Sequence, residues 1–181
     1  ETVGAQPAVK EAKAAHILVN DEAKAILAIL EKNQIKAQLW VTGGGANPKD
    51  AAEQQRMVEA EAARIKPIAE AAAKIGCTVG LYNHGGWFGE PENQIAIIET
   101  LKMPNVGIVY NLHHGHSHLN RFPELLQKVL PYLYCINLNG MTRGGDEKGE
   151  KIKPLGTGDL DLGLLRAIRD SGYKGRIGIL G

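Results

Sequence analysis

The sequence predicts an α/β protein built around a parallel β-sheet. Five short apolar segments alternate with longer segments in which apolar residues recur at the helical period. Polar, histidine-rich segments directly follow two of the apolar ones, and in parallel α/β proteins the ligand site lies at the carboxyl ends of the strands. The alternation fits both an open doubly wound sheet and a barrel.

Capping residues and glycines set the expected boundaries of the helices. Asn20 or Asp21 can cap the first helix, Asp50 the long second one and Asp161 the last. Pro67 is expected to kink or divide the long helix, because proline lacks the backbone N–H. The predicted elements are a helix to residue 33, a strand at 35–42, a helix at 50–75, a strand at 78–82, a helix at 91–101, a strand at 106–110, a helix at 123–130, a strand at 133–138, a helix at 161–171 and a strand at 176–180.

Composition indicates one globular domain. The 181 residues are 44% hydrophobic and carry a formal net charge of +1, and no apolar run reaches the ~18 residues that span a bilayer. The basic residues form no stripe, so nucleic acid is not an expected partner. Residues 1–15 are expected to be an irregular segment; the start at Glu1 is compatible with a processed, exported and soluble protein, and no compartment is indicated.

Four of the six histidines lie within six residues, directly after the predicted strand 106–110. A fifth, His84, holds the same place after the strand 78–82, and each of the two loops adds an asparagine, Asn83 or Asn111. Two matched polar clusters at strand ends favour a site for chemistry. The alternative is a solvated loop that binds metal weakly, or a set of structural hydrogen-bonding side chains.

The order of several motifs is similar to that of a known family. Residues 81–93, 106–116, 136–141 and 154–161 together resemble the xylose-isomerase-like TIM-barrel superfamily, and more narrowly its sugar phosphate isomerase/epimerase branch. The resemblance runs from about residue 35 to residue 181. It implies a TIM-type (β/α) barrel with the site at its carboxyl face, here incomplete, with about five visible strands of eight in a single partial barrel domain over residues 1–181. An open sheet edge leads us to expect a homo-oligomer.

The resemblance also implies a site for a divalent metal. Active members hold the metal with glutamate, aspartate, histidine and glutamate, and they move a proton between adjacent sugar carbons. The first three positions fall on Asn83, Asn111 and Asn137, and the last lies near Leu180 or beyond the chain. The histidine on the substrate side falls on His114. Amides are neutral and cannot be general bases, so they are poor substitutes for these carboxylates.

Two kinds of site remain open after these substitutions. One is an imidazole-rich site in which His84 and His114, with His113 or His116, bind a transition metal such as zinc, iron, nickel, copper or manganese. The other is metal-free recognition of a polyol by the three amides. In either, His114 and His84 are the expected acid/base residues. No nucleotide cofactor is expected, because the glycine-rich dinucleotide fingerprint is absent.

Further side chains near the predicted mouth are candidates for substrate binding. Trp87 can stack on a sugar face and Glu90 can accept hydrogen bonds from hydroxyl groups, although packing of their loop explains both equally well. Arg143 and Lys151 can contact a phosphate or carboxylate, or lie in solvent as surface charges.

Three functions are compatible with these residues. The first is a sugar or keto-sugar isomerase, epimerase or related lyase in which histidine moves the proton, with or without a metal. The second is a carbohydrate-binding protein without turnover, on a degenerate barrel. The third is an endonuclease-like relative acting on abasic DNA, which the balanced charge disfavours. The expected partner is a small sugar or sugar phosphate.

Overall fold

The computed structural model describes residues 20–180, and the predicted irregular segment 1–15 lies outside that part. Its strands are β1 (Gln38–Val41), β2 (Thr78–Tyr82), β3 (Val106–Asn111), β4 (Leu133–Leu138) and β5 (Arg176–Ile179). Its α-helices are α1 (Asp21–Lys32), α2 (Ala51–Lys74), α3 (Gly86–Gly89), α4 (Pro91–Leu101), α5 (Phe122–Val129) and α6 (Asp161–Asp170). Three 3-10 turns complete the fold, at Leu112–His114, His116–Arg121 and Leu130–Tyr132.

The order of the strands distinguishes a barrel from a doubly wound sheet. The five strands are all parallel and lie in the order β1-β2-β3-β4-β5, so every connection leads to the adjacent strand in the same direction. A doubly wound sheet reverses this direction at a switch point. The prediction of a TIM-type barrel is therefore confirmed, as an arc of five strands that does not close within residues 20–180.

The two faces of the arc carry different residues. Val79, Leu81 and Ile108 on the outer face join the hydrophobic core formed with the helices. The alternation of strand side chains places Trp40, Gly80 and Tyr82 on the inner face. A Cβ on Gly80 would lie 2.5 Å from Cγ2 of Val109 and 3.5 Å from Cδ1 of Trp40, which identifies those side chains as its inner-face neighbours. The histidines follow the carboxyl ends of β2 and β3, at the end of this inner face.

Most predicted boundaries agree with the structure to within a few residues. Asn20 caps α1 by accepting from the backbone N–H of Ala23, and Asp50 caps α2 in the same way through Glu53. Pro67 lies inside α2 without dividing it, so that expectation was wrong in its stronger form. Among the described helices, none is both long enough and apolar enough to cross a membrane.

Asp161 does not cap α6 as predicted, because it is the first residue of the helix and not the residue before it. Its buried carboxylate instead accepts hydrogen bonds from three backbone N–H groups, at 2.6 Å from Met141, 2.7 Å from Gly156 and 3.0 Å from Gly158. The carboxylate therefore fills the glycine-rich turn, which could otherwise have offered its N–H groups to an external anion.

Replacing Asp161 with alanine is expected to lower the free energy of unfolding by about 2–4 kcal/mol, because three backbone donors lose their acceptor. Urea denaturation measures this change. Asp159→Ala is the matched control, since exposed Asp159 accepts one backbone N–H, from Arg143 at 3.2 Å. Equal losses in the two variants would contradict the anchoring role of Asp161.

The sheet has two edge strands within the described residues, and both carry exposed apolar side chains. Trp40 on β1 is 49% exposed, and Ile177 and Ile179 on β5 are 52% and 72% exposed. Parallel edge strands with exposed apolar residues readily pair with other chains.

We expect this 181-residue chain to self-associate through those edges. Light scattering at several protein concentrations measures the association, and Ile179→Lys should weaken it by placing a charge on the exposed edge. A monodisperse monomer at all concentrations would contradict the expectation.

Candidate active site

Three histidine rings, His84, His113 and His114, pack against one another at the carboxyl ends of β2 and β3, tilted by 57° and 44° at the two contacts, and we call this group the histidine stack. The ring centroids of His113 and His114 are 3.7 Å apart, and those of His84 and His114 are 4.6 Å apart. His84 follows β2, while the other two lie in the 3-10 turn that follows β3. The structure thus brings together residues from the two loops that the sequence matched, and His114 is the central ring of the stack.

Tyr82, the last residue of β2, joins this stack to the inner face of the sheet. Its ring packs edge-on against His114 at 5.5 Å and stacks on Trp40 at 5.4 Å with an interplanar angle of 22°. Its hydroxyl accepts a hydrogen bond from Nδ2 of Asn111 at 2.7 Å. Tyr82 was not among the predicted site residues, although the strand alternation from Val79 and Leu81 assigns it to the inner face.

Asn83 and Asn111 have different roles from those expected of them. Oδ1 of Asn83 accepts from the backbone N–H of Asn111 at 2.7 Å, and its Nδ2 donates to the backbone carbonyl of Asn111 at 3.1 Å. The buried Asn83 side chain is therefore fully used in holding β3 beside β2. It is not free to bind a substrate, and the inner-face residue at this level is Tyr82.

Asn111 bridges the phenol and the histidine stack. While its Nδ2 donates to Tyr82, its Oδ1 lies 2.8 Å from Nδ1 of His113. An amide oxygen can only accept, so Nδ1 of His113 carries the proton in this arrangement. The buried amide thus contacts two side chains of the mouth at once.

Burial is the main cause that keeps two histidines of the stack, His113 and His114, neutral. Desolvation, with smaller contributions from His113, His84 and Lys151, lowers the pKa of His114 to about 4. The pKa of His113 is also lowered, mainly by desolvation and then by Lys151. Desolvation raises the pKa of Tyr82, and the hydrogen bond from Asn111 partly opposes this. At neutral pH, His113 and His114 are therefore uncharged and lie beside the protonated phenol of Tyr82.

A second network, buried at Tyr110 and His118 and exposed at its charged end, ties the two histidine loops together. His118 accepts from the hydroxyl of Tyr110 at its Nδ1, 2.9 Å away, and donates from Nε2 to Glu90 at 3.1 Å. Arg121 lies 3.4 Å from the same carboxylate oxygen and also pairs with Glu92. Glu90 was predicted to bind sugar hydroxyls, but its carboxylate is engaged in this network. His118 is the last of the four clustered histidines, and the sequence predicted no role for it.

Trp87 does not face the mouth. Its side chain is 2% exposed, and its Nε1–H donates to Oε1 of Gln54 on α2 at 2.6 Å. The expected stacking of Trp87 on a sugar is not compatible with this burial, and the packing of the loop against the helices accounts for the residue. The exposed aromatic ring on the inner face is Trp40.

The remaining candidates lie at or beyond the rim. Lys151 pairs with Asp146 at 3.2 Å and lies close enough to the stack to influence His113. Arg143 is exposed and its guanidinium approaches Asn120 at 3.4 Å, so it does not join the stack.

Two further candidates are held by neighbouring groups. Nε2 of His116 donates to the backbone carbonyl of Lys151 at 3.0 Å. Oδ1 of Asn137 accepts from the thiol of Cys135 at 3.4 Å on the inner face.

The donor set does not fit a divalent metal. Asn83 and Asn111 use their amide atoms in hydrogen bonds, and Nδ1 of His113 is bonded to Asn111. Zinc needs three or four side-chain donors that converge at about 2.0–2.3 Å. Within residues 20–180, no three His, Cys, Asp or Glu side chains are grouped to hold a metal ion. The imidazole-rich metal site predicted from His84, His113, His114 and His116 is not assembled.

The sequence matches the family described as Xylose isomerase-like TIM barrel over residues 12–179. This chain belongs to that family. A comparison with curated proteins gives no match. The family assignment agrees with the parallel, sequentially ordered arc, and it confirms the resemblance on which the fold prediction was based.

Solved structures similar to this xylose isomerase-like chain include sugar epimerases. A D-tagatose 3-epimerase-like protein has a TM-score of 0.62 at 18% identity, with 90% of this chain and 64% of that one covered. The IOLI protein, solved with a zinc atom, has a TM-score of 0.62 at 17% identity, with 86% and 57% covered. The 3-keto-D-glucoside 4-epimerase of E. coli has a TM-score of 0.62 at 16% identity, with 87% and 62% covered.

The chain spans about 57–64% of the length of these three structures. At 16–18% identity the likeness shows the fold. What the site does is therefore argued from the residues of this xylose isomerase-like chain.

We expect elemental analysis to find far less than one transition-metal ion per chain, because the amides are neutral and the ring nitrogens do not converge. The protein would be purified without chelator or histidine tag and incubated with zinc or manganese before desalting. A stoichiometric ion that is lost in both His84→Ala and His114→Ala would contradict this expectation.

Proposed function

We propose that this chain is part of a sugar or keto-sugar isomerase or epimerase in which histidine moves the proton without a metal. The observation that carries the proposal is the stack of His84, His113 and His114 beside the hydroxyl of Tyr82. Those groups can take a proton from carbon and give one to oxygen, the two transfers that interconvert keto-sugar isomers.

His114 is the proposed base of the reaction. It is the central ring of the stack, and its pKa of about 4 keeps it unprotonated at neutral pH. A base with so low a pKa has a small driving force for taking a proton, so the acidity of the sugar carbon must be raised by a group that acts on the neighbouring carbonyl. The mouth contains neutral donors for this purpose, and Lys151 lies at its rim.

The substrate class follows from the polarity of the mouth. The neutral imidazoles of His113 and His114 and the phenol of Tyr82 match the hydroxyl groups of a polyol, and exposed Trp40 offers a flat apolar surface to a sugar ring. The epimerases among the similar structures support a sugar as the ligand. The zinc of the IOLI protein is not carried over, because the donor set described above does not fit it.

A carbohydrate-binding role without turnover is the second candidate. It is favoured by the amides that stand where the resemblance implies metal-binding carboxylates, and by their complete use in hydrogen bonds within the site. Such a protein would bind the same sugars but exchange no carbon-bound proton.

Incubation with a panel of keto-sugars in D2O tests the proposal. We expect the wild type to introduce deuterium next to the carbonyl, and His114→Ala to slow this exchange by about 10²-fold or more, because the base is lost. Since the pKa of His114 is about 4, the exchange rate should stay level from pH 7 down to about pH 5, whereas an unperturbed histidine would lose its basic form below about 6.5.

His116→Gln is the matched control in the same loop, because His116 lies outside the stack and donates to a backbone carbonyl. Its exchange rate should stay close to that of the wild type. Sugar binding without exchange in the wild type would favour the second candidate, and equal exchange in His114→Ala and wild type would contradict the role of His114.

A further inference from the structure

We infer that the hydroxyl of Tyr82 is the proton donor of this site, and that Asn111 is the positioning residue that aims it. This inference rests on the proposed function and names the group that acts on the substrate carbonyl. It follows from the position of one buried amide between a phenol and an imidazole at the ends of β2 and β3.

The hydrogen bonds of Asn111 determine where the phenolic proton can go. Nδ2 of Asn111 donates to the oxygen of Tyr82 at 2.7 Å, so that bond does not use the phenolic hydrogen. The hydrogen is left free for another acceptor in the partly exposed mouth. An N–H group aimed at the phenol oxygen also stabilises the negative charge that remains when the proton leaves.

Nδ1 of His113 reports the orientation of the amide. The opposite orientation of Asn111 would be equally self-consistent: its oxygen would accept from Tyr82, and its NH2 group would donate to a bare Nδ1. The structure has the first orientation, in which His113 donates from Nδ1 at 2.8 Å. A proton on Nδ1 of His113 therefore indicates that the hydroxyl of Tyr82 is free to donate to a ligand, whereas a bare Nδ1 indicates that the hydroxyl donates to Asn111.

Each proton that leaves a group in this step is taken up by another named group. His114 removes the proton from the carbon beside the carbonyl, a carbon–carbon double bond forms, and the carbonyl oxygen takes the proton of Tyr82. The product of this half-reaction is an enediol, with an imidazolium and a phenolate on the protein. His114 then returns its proton to the former carbonyl carbon, and the hydroxyl on the carbon that was deprotonated gives its proton to the phenolate of Tyr82 and becomes the new carbonyl. These two transfers restore the protein and give the isomer.

Other acids near the mouth are engaged in different contacts. Glu90 accepts from His118 and Arg121, and Asp146 pairs with Lys151. Tyr110 is buried on the outer face and donates to His118, so it cannot reach a ligand. Tyr82 is the tyrosine whose ring contacts the stack and whose hydroxyl lies at the strand end.

Deuterium exchange into the keto-sugars tests the role of Tyr82. We expect Tyr82→Phe to lower kcat by about 10²-fold or more, with a much smaller change in KM, because the ring that contacts the sugar is kept and only the donor is lost. Tyr132→Phe is the matched control, since it removes a hydroxyl that donates to exposed Glu99 at the surface. Wild-type exchange rates in Tyr82→Phe, beside a loss in His114→Ala, would overturn the inference and leave the proposed function standing.

The tautomer of His113 gives a readout that does not depend on activity, and its measurement on the wild type needs no variant. Nitrogen-15 NMR of the histidine rings should find His113 protonated at Nδ1 in the wild type, and Asn111→Ala should abolish this preference. Protonation at Nε2 in the wild type would overturn the inference, because the hydroxyl of Tyr82 would then be donating to Asn111. If no sugar exchanges in the wild type, the proposed function fails and the role of Tyr82 fails with it, whatever the tautomer.

Discussion

The arrangement of the site depends on the pairing of Asn83 with the backbone of Asn111. These two hydrogen bonds extend the contact of β2 and β3 beyond the end of the strand ladder, where the backbones would otherwise separate into loops. A side-chain amide can do this because it carries a donor and an acceptor with the geometry of a peptide group. Tyr82 and His113, on either side of the pair, are held at the distance at which one amide can bridge them.

The neutrality of the strand ends determines the electrostatics of the mouth. Carboxylates at these positions would favour protonated imidazoles and would need a cation to offset their charge. With amides in their place, burial dominates and lowers the pKa values of His113 and His114. A neutral, hydrogen-bonding surface of this kind matches a polyol better than an ion, and it allows the uncharged rings of His113 and His114 to pack with centroids 3.7 Å apart without mutual repulsion.

The sequence alone predicted the arc of strands and the proximity of the His84 and His114 loops, but not the use of each polar atom. The strands 78–82 and 133–138 were predicted with the boundaries that the structure has, because apolar runs bounded by turn residues determine them locally. The roles of Asp161 and Trp87 depend on partners 20 and 33 residues away along the chain, Met141 and Gln54, which no local pattern specifies. The alternation of side chains along β2 is sufficient to assign Tyr82 to the inner face, but the family resemblance indicated the adjacent residue, Asn83, as the site residue.

The face of the sheet on which a tyrosine lies determines whether its hydroxyl can reach a ligand, as Tyr82 and Tyr110 show. Tyr82 is the last residue of β2 and Tyr110 the last but one of β3, and each ring packs against a histidine. Strand alternation turns Tyr110 to the outer face, where desolvation raises its pKa strongly and His118 accepts its hydrogen bond. That tyrosine is fixed, and through His118 and Glu90 it links the two loops that carry the stack. Tyr82 faces the mouth, and its oxygen receives a hydrogen bond from Asn111. The buried phenol therefore stabilises the loops, and the inner-face phenol retains a proton that it can transfer.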